Sequence, residues 1–315
     1  MASKTGVFVV GAKRTAFGTF GGKLKNHSAT DLGVIATIAA LQHAGVNADH
    51  IDHVIFGNVV STSKDGIYLS RHIGLKSGVP QNVGALTVNR LCGSGFQALI
   101  NAAQQIKLDD SKLVVAGGSE NMSQAPFAVR NMRFGSVLGM KYETPYGNHS
   151  RILTPSWQWV KPRRSLEHSI RRVFVVGAKR TAFGTFGGKL KNHSATDLGV
   201  IATIAALQHA GVKADHIDHV IFGNVVSTSK DGIYLSRHIG LKSGVPQNVG
   251  ALTVNRLCGS GFQALINAAQ QIKLDDSKLV VAGGSENMSQ APFAVPNMRF
   301  GSVLGMKYEV GRKGW

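Results

Sequence analysis

From residue 7 onward the chain alternates short apolar runs with longer stretches in which apolar residues recur at helical spacing. Val7–Val10 is an unbroken apolar run of strand type, followed by a Gly- and Lys-rich loop to Asn26. Ser28 or Thr30 can cap a helix from Asp31 to His43, and Gly45 stops it. His53–Val60 predicts a second strand, and Gly66–Leu75 a short helix ended by Gly78. Ala85–Leu91 predicts a third strand, Ser94–Ile106 a helix, and Leu113–Ala116 a fourth strand closed by Gly117-Gly118. Strands and helices in this order imply an α/β fold built on a parallel, doubly wound sheet. Because parallel crossovers are right-handed, helices should cover both faces.

The pattern then repeats. Val7–Glu143 realigns on Val173–Glu309 at a constant offset of 166, and across those 137 positions only two differ. Asn47 stands against Lys213, and Arg130 against Pro296. A unit this long is a duplicated domain and not a solenoid repeat of 20–50 residues. The expected organisation is a first copy over residues 1–143, a basic linker over 144–172, a second copy over 173–309 and a tail over 310–315. The linker holds Thr-Pro, Lys-Pro, two tryptophans and six basic residues, shows neither period 2 nor period 3.6, and reads as a segment without a core of its own. The two copies stop matching at one shared point, after Glu143 and after Glu309, and continue with unrelated residues.

Composition refines this picture little. No run of about 18 apolar residues exists, so no membrane-spanning helix is expected. Two cysteines in 315 residues form no disulfide framework, and a reducing compartment is the simplest setting. The net charge of +18 is spread out: each copy contributes +5 and the short linker another +5. Such a surface steers anionic, phosphorylated molecules as well as it attracts nucleic acid. No basic-aromatic platform or reader motif accompanies the charge, which argues against nucleic acid. The opening Met-Ala-Ser-Lys-Thr-Gly runs straight into the first apolar run and leaves little room for a cleavable transit peptide.

The chemistry concentrates in Val88-Asn89-Arg90-Leu91-Cys92-Gly93-Ser94-Gly95-Phe96-Gln97, repeated around Cys258. A strand ends, a cysteine occupies the turn, two glycines follow and a helix begins. Glycines let a ligand carbonyl approach the backbone closely. The unpaired amides of the helix's first turn point toward the cysteine, where the dipole favours negative charge. The amide of Cys92 is placed to donate to an oxyanion as an acyl carbonyl is attacked. Two other readings share these residues. A lone cysteine is commonly a small buried hydrophobe. Gly93-Ser94-Gly95-Phe96-Gln97-Ala98 also fits the G-x-G-x-x-A dinucleotide fingerprint, but it follows the third strand, and no acid closes the next strand to hold a ribose.

Asn89-Arg90-Leu91-Cys92-Gly93-Ser94-Gly95-Phe96-Gln97 resembles the acyl-enzyme signature of the thiolase family, most of all the mitochondrial 3-ketoacyl-CoA thiolases of fatty-acid β-oxidation. Ala12-Lys13-Arg14-Thr15 with Phe17-Gly18, Gly57-Asn58-Val59 and Gly117-Gly118-Ser119-Glu120-Asn121-Met122-Ser123 match the family as well. The resemblance implies a thiolase-like fold in two incomplete copies. It implies that Cys92 and Cys258 are catalytic nucleophiles forming an acyl thioester. It further implies coenzyme A as co-substrate with no permanently bound cofactor, acyl-CoA as partner, thiolase-like self-association, no metal and a mitochondrial location. The family's later half supplies an Asn-Glu-Ala-Phe segment, a Gly-His-Pro segment whose His activates the nucleophile, and a second, acid/base cysteine in Cys-x-Gly. None of these strings occurs here. The insertion that grips coenzyme A, and the strand that returns from it to the sheet edge, are expected to be missing too.

The histidines offer no obvious substitute base. They are five repeated pairs (His27/His193, His43/His209, His50/His216, His53/His219, His72/His238) plus His149 and His168. His43 suits a helix C-terminus, His50 and His53 flank the wrong end of the second strand, and His72 lies in a helical run. Asp109-Asp110 read as solvated loop acids. The family's own architecture suggests two ways for the copies to pack: as the N- and C-terminal halves of one thiolase do, about a pseudo-twofold, or through the dimer contact near the third strand. Three functional readings stay open on sequence: an acyltransferase of thiolase type, a non-catalytic partner that docks with a complete thiolase, and an abortive duplicated fragment.

Overall fold

The computed structural model describes residues 6–129, 158–162 and 172–295. In the first copy β1 (Val7–Phe8) precedes α1 (Ala29–Ala44), β2 (His53–Gly57), α2 (Leu69–Lys76), β3 (Gly84–Asn89), α3 (Ser94–Lys107), β4 (Val114–Gly118) and β5 (Phe127–Val129). A linker strand, β6 (Gln158–Pro162), follows. The second copy gives α4 (Ala195–Ala210), β7 (His219–Gly223), α5 (Leu235–Lys242), β8 (Gly250–Asn255), α6 (Ser260–Lys273), β9 (Val280–Gly284) and β10 (Phe293–Val295).

Local chemistry sets the helix ends. Ser28 Oγ accepts from Asp31 N at 3.0 Å and Asp31 Oδ2 accepts from Ser28 N at 3.0 Å, a reciprocal capping box at the start of α1. Gly45, at φ 62°, ends it in the left-handed conformation that glycine adopts without a Cβ clash. The strands alternate faces as buried parallel strands do. Val54, Phe56 and Val115 pack under α1 and α2, while Ile55, Val114 and Ala116 pack under α3.

Within each copy three strands are parallel: β2 lies between β3 and β4, and β7 between β8 and β9. The copies then join edge to edge. β3 and β8 pair antiparallel, with Thr87 opposite Asn255, Val88 opposite Val254 and Asn89 opposite Thr253. Val254 is the repeat counterpart of Val88, so a pseudo-twofold axis passes between the two. Of the two packings suggested by the family, this is the one through the third strand.

The seam is reciprocal throughout. Asn89 Nδ2 donates to Ile233 O at 3.0 Å, and Asn255 Nδ2 to Ile67 O at 2.9 Å. A polar ladder runs along α3 from Arg90 to Gln97, Asn101 and Gln104, whose Nε2 donates across the seam to Asp276 Oδ2 at 2.9 Å. Its mirror runs from Arg256 through Gln263, Asn267 and Gln270 to Asp110. The amide members of both ladders are buried and bonded, so they fix register at little desolvation cost. One apolar core spans the seam, joining Leu86, Val88, Ala98 and Ala102 to Leu252, Val254, Ala264 and Ala268. A two-stranded antiparallel pair, β5 with β10, adds a second bridge between the copies.

Two sequence expectations need correction. Of the first apolar run only Val7–Phe8 forms a strand; it points the same way as β2, β3 and β4 but is separated from them by the antiparallel β6, and Val173–Val176 forms no strand. The eight-stranded sheet is therefore mixed, in the order β1-β6-β4-β2-β3-β8-β7-β9. The linker also does more than connect. β6 pairs antiparallel with β4 (Val114 opposite Val160, Val115 opposite Trp159, Ala116 opposite Gln158) and fills the edge expected to lack its returning strand. Five residues are too few for a period to show, and what makes them a strand is a partner more than 40 residues away in sequence.

Candidate active site

The C-terminal ends of β2, β3 and β4 form one edge of the sheet, and the cysteine turn rises from it. Gly57 and Gly118 let the first turn of α3 settle directly on that edge. A Cβ on Gly57 would lie 2.2 Å from the Ser94 carbonyl carbon, and one on Gly118 would lie 2.9 Å from Gly95 Cα. The glycines that helix-on-strand packing requires are thus the strand-end Gly57 and Gly118, whereas a Cβ on Gly93 or Gly95 of the motif would meet only ordinary contacts at 3.5 and 3.6 Å.

β3 ends at Asn89, and the backbone then turns sharply. Leu91 sits at φ 52° and Leu257 at φ 52°, the left-handed region that costs a branched residue roughly 1–3 kcal/mol. Hydrogen bonds hold the turn in place. Asn89 Oδ1 accepts from Leu91 N at 2.9 Å, Ser94 Oγ accepts from Arg90 N at 2.9 Å, and the same hydroxyl donates to Leu91 O at 2.6 Å. Residue 92 is thereby pushed outward: Cys92 and Cys258 are both exposed free thiols. The buried-hydrophobe reading of these cysteines does not hold. Each lies between a strained residue and the start of a 14-residue helix whose N-cap, Gly93 or Gly259, supplies no side-chain cap. Gly93 N already donates to Arg90 O at 3.1 Å and Ser94 N to Leu91 O at 3.0 Å, so of the first-turn amides only those of Gly95 and Phe96 are left to whatever binds there.

Both copies build each cysteine loop, because Asn89 and Asn255, which shape the turns, are the side chains that cross the seam. A cleft of about 300 Å³ lies beside the Cys258 loop, with Tyr68, Arg71 and Thr87 of the first copy facing Asn255, Arg256 and Leu257 of the second.

No histidine bonds either sulfur among the described residues. His43 lies in the last turn of α1. His53 opens β2 at the opposite edge, buried beside Arg256; burial first, and that guanidinium second, lower it to about 4. His219 falls to about 4 through burial and Arg90. His72 Nδ1 is 2.9 Å from Asp65 Oδ2 and its ring stacks on Tyr68, so its polar atom is committed to a local pair. His149 and His168 lie outside the described residues. No cluster of His, Cys, Asp and Glu suited to a metal occurs among the described residues, and no helix there is long and apolar enough to cross a membrane.

One ionisable group at this edge was not singled out from sequence. Glu120 follows β4 and turns inward, its carboxylate accepting from Val59 N at 2.8 Å and Val60 N at 3.1 Å. Burial pushes its carboxyl up to about 7, against the pull of those two amides and of Asn58. It ties the loop after β2 to the loop after β4. The Ser-Glu-Asn that follows Gly117-Gly118 was the available signal, since an acid placed directly after a buried strand must find donors.

Residues 7–150 and 173–313 each match the family model described as thiolase, N-terminal domain. The chain belongs to the thiolase family. Among thiolases, it is 54% identical over 139 residues to the mitochondrial 3-ketoacyl-CoA thiolase of Homo sapiens, covering 44% of this chain and 35% of that protein. It is 47% identical over 135 residues to the β-ketothiolase BktB of Cupriavidus necator, covering 43% and 34%. The chain therefore spans about a third of the length of the curated thiolases it matches, and does so twice. A crystal structure of human mitochondrial 3-ketoacyl-CoA thiolase in complex with CoA aligns over 88% of this chain and 94% of that one, at 23% identity and a TM-score of 0.47.

Proposed function

We propose that this chain carries two thiolase-type acyl-acceptor sites, with Cys92 and Cys258 as nucleophiles, coenzyme A thioesters as acyl donors and a mitochondrial setting. The observation that carries the reading is the pair of exposed thiols, each held by a strained turn at an uncapped helix N-terminus, in a thiolase-family chain. The thiolate sulfur attacks the thioester carbonyl, and the new S–C bond forms as the bond to the coenzyme A sulfur breaks. The departing thiolate takes up the proton the cysteine gave. The Cys92 amide and those of Gly95 and Phe96 are the donors left to the oxyanion, because Ser94 N already donates to Leu91 O.

Onward 3-ketoacyl-CoA thiolysis, the reaction of β-oxidation, asks for more. It needs a base to generate the thiolate and an acid to protonate the departing carbanion, each typically contributing about 10²–10⁴ in rate. His72 and His238 are committed to Asp65 and Asp231, and no described histidine bonds either sulfur. The expected behaviour is thus slow acylation that stalls as a thioester, without turnover. Intact-mass measurement of the full chain after incubation with acetyl-CoA or acetoacetyl-CoA tests this. One or two hydroxylamine-labile acyl groups, lost when Cys92 and Cys258 are both changed to Ala, are expected. An unmodified chain after long incubation would leave the non-catalytic thiolase-docking reading in its place, and rapid release of product would show that a base is present after all.

A further inference from the structure

The two ends of the eight-stranded sheet carry the same acceptor sequence and differ in what sits on it. At the first end, β4 is hydrogen-bonded along its free side by β6, and β6 in turn carries β1, with Val7 opposite Pro162 and Phe8 opposite Lys161. At the second end, β9 has the same five residues as β4, Val-Val-Ala-Gly-Gly. Among the described residues, its only strand partner is β7. The counterpart of β1, Val173–Phe174, forms no strand, and Phe174 and Val175 are 72% and 76% exposed. The inner wall that holds β6 in the first copy is therefore repeated in the second, and among the described residues no strand is seated on it. The described chain supplies one donor strand for two identical acceptor edges.

We infer that the β9 edge is a binding site for an extended peptide strand supplied by another polypeptide. The strand runs antiparallel to β9 and takes the place that β6 takes on β4. The chemistry of the occupant follows from the seated example. Recognition is mainly through main-chain hydrogen bonds, which set direction and register but not identity. The template strand reads Gln-Trp-Val-Lys-Pro, so a β-branched residue suits the position opposite Val280, an aromatic one that opposite Val281 and a polar one that opposite Ala282, with proline tolerated beyond Val280. The net charge of +18 favours a donor with acidic flanks. An unfilled edge of this kind otherwise invites non-specific pairing.

The test uses the full chain and a synthetic peptide with the sequence of Ser156–Pro162 extended by aspartates at both ends. Amide hydrogen exchange is read by mass spectrometry. In the free, dilute chain the amides of residues 280–284 should exchange faster than those of 114–118. Saturating peptide should slow exchange at 280–284 by at least about tenfold while leaving 114–118 unchanged. The same peptide N-methylated at alternate backbone amides should fail to protect. Three results would overturn the inference. Protection at 280–284 equal to that at 114–118 before peptide is added would mean that the chain fills its own edge. Protection that rises with protein concentration alone would assign the edge to a second copy. Peptide that leaves 280–284 unchanged at every concentration would mean that no strand is accepted.

Discussion

β4 and β9 are the same five residues, yet Val114, Val115 and Ala116 are almost wholly buried while Val280, Val281 and Ala282 are only partly so. Glu120 and Glu286 differ in the same sense: Glu120 is buried and pushed to about 7, whereas Glu286 is less enclosed and merely raised. Nothing in the copies themselves accounts for this. Burial belongs to the neighbourhood, and the first copy has a neighbour in β6. At the seam, where each copy is the other's neighbour, the two environments agree to within a few hundredths in exposure: Leu86, Val88, Leu252 and Val254 are all fully buried.

The largest effect should come from the seam, because it is what the copies share. Val88→Asp or Val254→Asp places a carboxylate at the pseudo-twofold, in a fully apolar position with no donor to meet it. Each is expected to cost more than about 4 kcal/mol and to abolish cooperative unfolding of both copies. Denaturant titration followed by near-ultraviolet circular dichroism measures it. Loss of one copy alone, with the other unfolding normally, would break the idea of a common core.

A smaller, pH-dependent effect separates the copies. Below pH 4.5 Glu120 is protonated in both the folded and unfolded chain and carries no penalty. As pH rises from 4.5 to about 7 the unfolded chain releases this proton while the folded chain keeps it, so stability falls through that window. Relative to Glu120→Gln, the natural chain should lose on the order of 3 kcal/mol between those limits. Glu286→Gln should relieve a smaller loss, its carboxyl being less enclosed. Urea midpoints across the window decide it, and equal effects at both positions would contradict the difference in enclosure.

The smallest effect concerns one of the two sequence differences. Asn47 Oδ1 accepts from Asp49 N at 3.3 Å, capping the short turn Ala48–His50, whereas Lys213 provides no such cap. Asn47→Lys is expected to cost about 0.5 kcal/mol and Lys213→Asn to return about as much, the low end for a cap because the bond is long and exposed. Thermal melts of both variants check the sign. The other difference, Arg130 against Pro296, lies outside the described residues.

Most of the core was legible in the sequence. Apolar runs located β2, β3 and β4, Ser28 and Gly45 bounded α1, and Gly-x-Gly after a strand put Cys92 at the mouth of α3. Local chemistry dictates those features, so local sequence reports them. What escaped was set by distant partners. β6 exists because β4 has a free edge, and β1 has no direct pairing with the parallel strands because β6 lies between them. The strain at Leu91 escaped for a related reason: leucine carries no signal for positive φ, and only the bonds from Asn89 and Ser94 impose it. Glu120 was read as part of a motif, yet its buried role appears only once the loops after β2 and β4 are brought together.

The pairing of β3 with β8 also has a consequence for assembly. Gly84–Asn89 and Gly250–Asn255 are the same six residues, so during refolding a third strand cannot distinguish its own chain's counterpart from that of a neighbour. Only the covalent connection between the copies decides, and such a connection offers an effective concentration of about a millimolar. Below that value a molecule closes on itself and consumes both of its sticky strands at once. Above it, each molecule can offer one strand to the left and one to the right. Such head-to-tail exchange has no geometric reason to stop at two. The symmetry that completes the single molecule is, at high concentration, the bond of a linear polymer.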